Sequence, residues 1–370
     1  MKKQNQFRCI AIAIMFFISS NLEANSWRVN NFAQNPYGVN MGGTASHPVF
    51  GQLSDAVLSP LVFDGDTIYL EASPDSYDGA TVNKSLIVIG PGYFLNENHD
   101  NSVNNYSSDI EYINFSTGSE NSQLIAICVS GYYCIEIEVS DITIKRCKIN
   151  YSIQLGYSIS DIYITGNFFS DEESSSSIID ANYYGFPLNV RLNNNICQRR
   201  LDLEYDDPDY QFEQCNNNVF DCVVAGDYSV SCYAASFKNN IVKNAATTVY
   251  VNGVDDFESF PDPKVAYNIS VNSSIQFGSE YGNIEVSDMT DLFVNQATNT
   301  TDGDYQLLTA SPGSGNGSDG TDRGVYGGVE SNHYTISGLP PMPVIYQIFT
   351  NGVVTDDGML PVTIKAKTVK

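Results

Sequence analysis

Glu136 and Glu138, in the run CIEIEVS, are two carboxylates that alternation sets on one face of a strand. With one protonated and one ionised, such a pair can serve acid–base hydrolysis. The face they share is expected to point outward, which makes them an ordinary solvated strand face. The stretches YDDPDY (205–210) and GNGSDGTDRG (315–324) offer oxygen ligands of the kind Ca²⁺ takes. Neither has EF-hand spacing, and neither repeats in the Gly-Gly-x-Gly-x-Asp manner of calcium β-rolls. No cofactor is expected, and calcium at these loops is the single ion worth testing. A third set consists of Lys145, Tyr163, Arg191, Asn193, Asn216, Lys238 and Lys264. Lined up on one face, these side chains could pair with carboxylates or sulfates, bond sugar hydroxyls and stack a pyranose on the tyrosine. Whether they line up depends on the elements that carry them.

Those elements are read from a recurring asparagine. The stretch NVRLNNNIC (189–197) returns as EQCNNNVF (213–220) and ASFKNNIV (235–242). Counting the asparagine just before each apolar pair gives Asn167, Asn195, Asn218, Asn240 and Asn268, with Cys147 in the same place one unit earlier. Short alternating runs precede the markers, with inward pairs Ile142/Ile144, Ile162/Ile164 and Val190/Leu192. In later units only Cys215, Phe237 and Val265 hold the second inward position, and Ile149, Phe169, Cys197, Phe220 and Val242 follow the markers. A strand set repeating at this spacing is the signature of a solenoid, with one coil per repeat. Asparagines stacked at one bend would bond one another and satisfy polar groups that are otherwise buried unpaired. The outward pairs then become Thr143/Lys145, Tyr163/Thr165, Arg191/Asn193, Gln214/Asn216, Ser236/Lys238 and Lys264/Ala266. Coils lie about 4.8 Å apart, so these positions form one stripe.

Two further stretches carry a resemblance. DGDTIYLEASPDSYDGATVNKSLIVIGPG (64–92) is a pair of alternating strands around a turn-rich loop, and DYQLLTASPGSGNGSDGTDRGVYGG (304–328) precedes SGLPPMPVIY and LPVTIKAKT. They resemble the opening coils and the closing segment and tail of secreted bacterial β-helix proteins of the pectate-lyase-like superfamily, over roughly residues 60 to 370. The resemblance implies an all-β, single-stranded right-handed parallel β-helix with an N-terminal cap and a short C-terminal β tail. It implies no single activity, because that architecture hosts lyases, hydrolases and adhesins. Hydrolases of the group share paired aspartates, a Gly-His-Gly and an Arg-x-Lys. Here His47, His99 and His333 lie outside the central coils, none stands between glycines, and no RIK occurs.

The chain has 370 residues, with 18 basic against 43 acidic and a net charge of −25. That balance argues against nucleic acid and anionic membranes, which need a basic footprint. Lys2, Lys3 and Arg8 precede an apolar run from Cys9 to Ser19 that is too short to span a bilayer, and Ala24 is a plausible last residue before cleavage. Residues 1–24 are therefore expected to be a secretory signal peptide. The mature protein is expected to be a monomer without a transmembrane helix, secreted or at the cell surface. The expected organisation is 25–60 as an N-terminal cap segment, 61–328 as the β-helix and 329–370 as a C-terminal tail. Seven cysteines remain after Cys9, an odd number without CxxC spacing, so neither a disulfide framework nor zinc is expected and no pairing can be assigned. In function, the stripe points to non-catalytic binding of an acidic polysaccharide. The alternative is a polysaccharide lyase acting on a uronate-containing glycan, with Lys or Arg stabilising the carboxylate while the C5 proton is removed.

Overall fold

A computed structural model describes residues 24–32, 43–98, 102–131, 134–171, 177–181, 187–203, 211–222, 228–243, 248–252, 263–271, 277–294, 301–350, 352–355 and 358–369. Its strands stack coil on coil in three long parallel sheets, which makes the fold an all-β parallel β-helix. The first sheet has nine strands, among them Gln123–Ile125, Ile142–Lys145, Ser160–Thr165, Leu188–Asn193 and Gln214–Asn216. A second sheet of five runs from Ala80–Val82 to Ile179–Ala181, and a third of nine from Asp109–Ile110 to Ile284–Val286.

The register follows from the apolar pattern. Ile142 sits beside Ile162 and Ile162 beside Val190, while Ile164 meets Leu192 and Leu192 meets Cys215. All six have no exposed surface. A slip of one residue would turn this whole set outward, so burial itself pins the alignment.

The asparagine markers form a continuous internal ladder. Asn167, Asn195, Asn218, Asn240 and Asn268 are fully buried. In each, the Oδ1 accepts the backbone N–H of the preceding marker, at 2.9 Å from Cys147 to Asn167 and at 2.9 Å on each rung from there to Asn268. The Nδ2 of each donates to the next Oδ1 and to a backbone carbonyl of the preceding coil, as Asn218 does to Leu192 O at 2.8 Å. Asn283 adds a terminal rung by accepting from Asn268 N at 2.8 Å. The residue before each marker is left-handed, with φ of 57° at Asn194 and 58° at Asn217 and Asn239. Asparagine tolerates that conformation better than most residues with a Cβ. This explains the triplets: in NNN the first residue faces outward, the second turns the corner and the third joins the ladder.

The residues beside the inner positions of the third sheet are apolar as well. Phe168, Ile196, Val219, Ile241 and Ile269 point outward into a second core with Leu292, Phe293, Tyr305, Val325 and Tyr334. The last strand of the parallel sheets is Ile284–Val286, and residues 303–338 add no strand to them. That glycine- and serine-rich stretch offers no alternating apolar run. It lies instead as a strap along the corner and the outside of the third sheet. The left-handed asparagines hold it there: Asn194 Nδ2 donates to Val325 O at 3.0 Å and Gly327 O at 2.8 Å, and Ser318 N donates to Asn239 Oδ1 at 2.8 Å.

At the N-terminal end, Ser26–Val29 pairs in parallel with Thr67–Leu70, and the helix Leu53–Leu58 buries Leu53, Ala56 and Val57. The first coil thus has its edge and core covered. The tail is a two-stranded antiparallel hairpin, Pro343–Thr350 with Val362–Thr368. All seven cysteines after Cys9 are buried. Residues 1–23, which contain most of the expected signal peptide, lie outside the described residues.

Candidate functional site

The outward residues of the first sheet stand in two rows. One runs Thr143, Tyr163, Arg191, Gln214, and the other Lys145, Thr165, Asn193, Asn216. The second row continues to Lys238 and Ala266, because Asn217 N donates to Lys238 O at 2.9 Å and Lys238 pairs with Ala266. Lys264 enters next to that strand, where its carbonyl accepts from Phe237 N at 2.8 Å. All seven residues expected of the stripe therefore occupy neighbouring positions on successive coils.

The rows line a groove of about 380 Å³ that takes in Lys145, Tyr163, Thr165, Arg191, Asn193 and, from the strap, Asn332. Asn216, Lys238 and Lys264 continue the stripe beyond it. Thr165 is almost wholly buried in the groove wall, and its hydroxyl has no hydrogen-bond partner among the described residues.

The charges of the stripe are partly engaged. Arg191 forks onto Glu213, with Nε–Oε2 at 2.5 Å and Nη2–Oε1 at 3.1 Å, and its guanidinium lies 5.1 Å from the centre of the Tyr163 ring. Among the described residues, Nη1 has no hydrogen-bond partner. Lys145 Nζ donates to Ser331 O of the strap at 2.6 Å. Burial, joined by the neighbouring charge of Arg146, holds this ammonium below the ordinary lysine value. The amides are engaged too: Asn193 Nδ2 donates to Gln214 Oε1 at 2.9 Å, and Asn216 Oδ1 accepts Lys238 N at 2.8 Å. They brace the rows as well as presenting polar edges.

Three participants were not among the residues expected from the sequence. Glu213 directly precedes an outward position beside Arg191, so the repeat register contains its signal. Ser331 lies 186 residues beyond Lys145, with Asn332 next to it, and nothing in the repeat points to them.

Glu136 and Glu138 line a different groove, of about 480 Å³, with Gln154, Tyr157 and Asp180. Glu136 registers with Asn114 on one side and Gln154 on the other, so no carboxylate stands next to it across the sheet. In the loop 315–324, Asp322 Oδ1 accepts Gly315 N at 2.8 Å and Asp319 Oδ1 accepts Thr321 N at 3.0 Å. These carboxylates shape the loop itself. Among the described residues, no cluster of three His, Cys, Asp or Glu is set to hold a metal ion. The other acidic stretch, 205–210, lies outside the described residues. Among the described residues, no helix is long and apolar enough to cross a membrane. No family model, no curated protein and no solved structure matches the chain.

Proposed function

We propose that the protein binds an acidic polysaccharide lengthwise on the outer face of the first sheet and does not cleave it. The observation that carries the reading is the in-register double row. Repeated coils present hydroxyl, amide, aromatic and cationic groups to one groove. Linear glycans match such a surface because each coil offers the next sugar a similar set of partners. Lys145, Lys238 and the unengaged Nη1 of Arg191 supply the preference for carboxylate or sulfate. The N-terminal basic and apolar run fits the same role, with the protein exported or held at the cell surface.

A uronate lyase is the second reading, and Lys145 favours it. Lys145 and Arg191 line one groove, so in this reading Lys145 would take the C5 proton while Arg191 steadies the carboxylate. Calorimetric titration of the purified protein with a panel of uronate and sulfated polymers tests both readings, with ultraviolet absorbance followed for an unsaturated product. Binding without product is expected, and Arg191→Ala combined with Lys238→Ala should weaken it about tenfold. Product formation would favour the lyase. Absence of any acidic ligand would remove both readings.

A further inference from the structure

The coils that carry the stripe are not equivalent in charge. Five follow one another along the first sheet and past its end, through Ile142–Lys145, Ser160–Thr165, Leu188–Asn193, Gln214–Asn216 and Phe237–Lys238. Lys145, Arg191 and Lys238 place a cation on the first, third and fifth. The second coil turns Tyr163 and Thr165 outward and the fourth Gln214 and Asn216, none of them charged. Both of these coils also carry a carboxylate: Asp161 two residues before Tyr163, and Glu213 directly before Gln214. Asp161 Oδ1 accepts Asn189 Nδ2 of the third coil at 3.0 Å, which sets it at the edge of the same face. Asp141 holds the matching left-handed position on the first coil, where Lys145 offsets it. Lys264, on the coil after Lys238, ends the series and lies outside the alternation.

Cations therefore recur at two-coil intervals, about 10 Å, with a neutral or acidic coil between. An extended pyranose chain advances by close to one coil spacing per sugar. A cation on every second coil thus meets an anionic group on every second sugar. A uronate homopolymer carries a further carboxylate for each one met in this way. Whichever way the chain turns, that carboxylate comes to Asp161, Glu213 or the rest of a protein of net charge −25. An uncharged sugar in the same place meets Tyr163 and the amides of Gln214 and Asn216, which suit hydroxyl and acetamido partners.

We propose that the bound polysaccharide alternates, with an acidic sugar at every second position on Lys145, Arg191 and Lys238 and an uncharged sugar on the coils between. Arg191 takes part through Nη1, which Glu213 does not engage. The inference rests on lengthwise glycan binding to the stripe and narrows it to one class of polymer, a linear chain with an acidic–neutral disaccharide repeat.

Calorimetric titration with oligosaccharides of equal length, about six sugars each, tests it. Hyaluronan and unsulfated chondroitin oligomers are the alternating probes, and galacturonate and mannuronate oligomers the homopolymers. The alternating oligomers should bind at least about tenfold more tightly at about 0.1 M salt. Gln214→Lys adds a cation to the fourth coil, and Asp161→Asn removes the carboxylate of the second. Each should raise homopolymer affinity about threefold and narrow the preference. Homopolymers that bind as tightly as the alternating probes would overturn the alternation while leaving glycan binding in place. A preference that both variants leave unchanged would overturn it too, because the coil charges would then not set it. No binding of any oligomer would remove the stripe reading itself, and this inference with it.

Discussion

Asn218 illustrates how much one side chain can carry in this architecture. Its Nδ2 serves Asn240 Oδ1 and Leu192 O, and its Oδ1 receives both the N–H and the Nδ2 of Asn195. Removing the amide leaves buried donors and acceptors on both neighbouring coils without partners. Asn218→Ala should therefore destabilise the protein by about 1–3 kcal/mol, read from urea unfolding midpoints. An unchanged midpoint would contradict the ladder's energetic role. Asp302 presents the opposite case, a buried carboxyl whose burial raises its pKa although Ser337 N–H, Tyr334 O–H and Asn98 donate to it. A raised folded-state pKa means that its contribution to stability is complete below the ordinary carboxyl range. It is lost as pH rises through the raised value. Tyr93 and Tyr326 stand nearby and remain neutral across that range, since burial raises both. Asp302→Asn should flatten the fall in stability above about pH 4. Parallel wild-type and variant curves would assign the pH dependence elsewhere.

The strap is the element on which the third sheet depends. Together with Tyr93, Phe94, Leu292 and Phe293 it covers Phe168, Ile196, Val219, Ile241 and Ile269, which would otherwise stand as one apolar ridge. Its path is tight. A Cβ on Gly327 would come within 1.6 Å of Asp322 O and 2.6 Å of Asn217 Nδ2, and the first of these is backbone that cannot step aside. Gly327→Ala should cost about 1–3 kcal/mol in local stability. Hydrogen exchange should then speed up in peptides containing Val325 and Tyr334 while the inner strands keep their protection. Equal protection in the variant would mean that the strap tolerates the added methyl. The same element reaches the groove through Ser331 and Asn332, so loosening it should also disturb Lys145.

At the scale of the whole molecule, the charge of −25 and the stripe act against each other. The protein as a whole repels a polyanion, and the row of Lys145, Arg191, Lys238 and Lys264 offers local attraction. Binding should be weak per sugar and grow with polymer length, because each coil adds a contact to a chain already held. It should also weaken as sodium chloride rises, since exposed charges are screened over about 10 Å at about 0.1 M. Affinity that is independent of length and salt would place the contact in a compact pocket instead of along the coils.

The local sequence was enough for the coil. Burial leaves one alignment in which Ile142, Ile162 and Val190 share an interior, and left-handed corners admit asparagine where most residues strain. Period, inward pairs, ladder and outward rows were all legible for that reason. Handing each outward position to the next coil needs only the repeat length, so Lys145, Tyr163, Arg191, Asn193, Asn216 and Lys238 could be aligned without coordinates. Glu213 was within reach of the same register. What the sequence could not contain is the return of the chain over its own surface. The strap joins Asn194 to Gly327 across 133 residues and Lys145 to Ser331 across 186. Such contacts follow no period, because they form between a repeating surface and a segment that does not repeat. They decide that the third sheet is buried on both faces, that Lys145 is half-engaged, and that one side of the groove has a rim. Periodicity encodes neighbours at a constant separation, and only the folded chain brings together residues that share none.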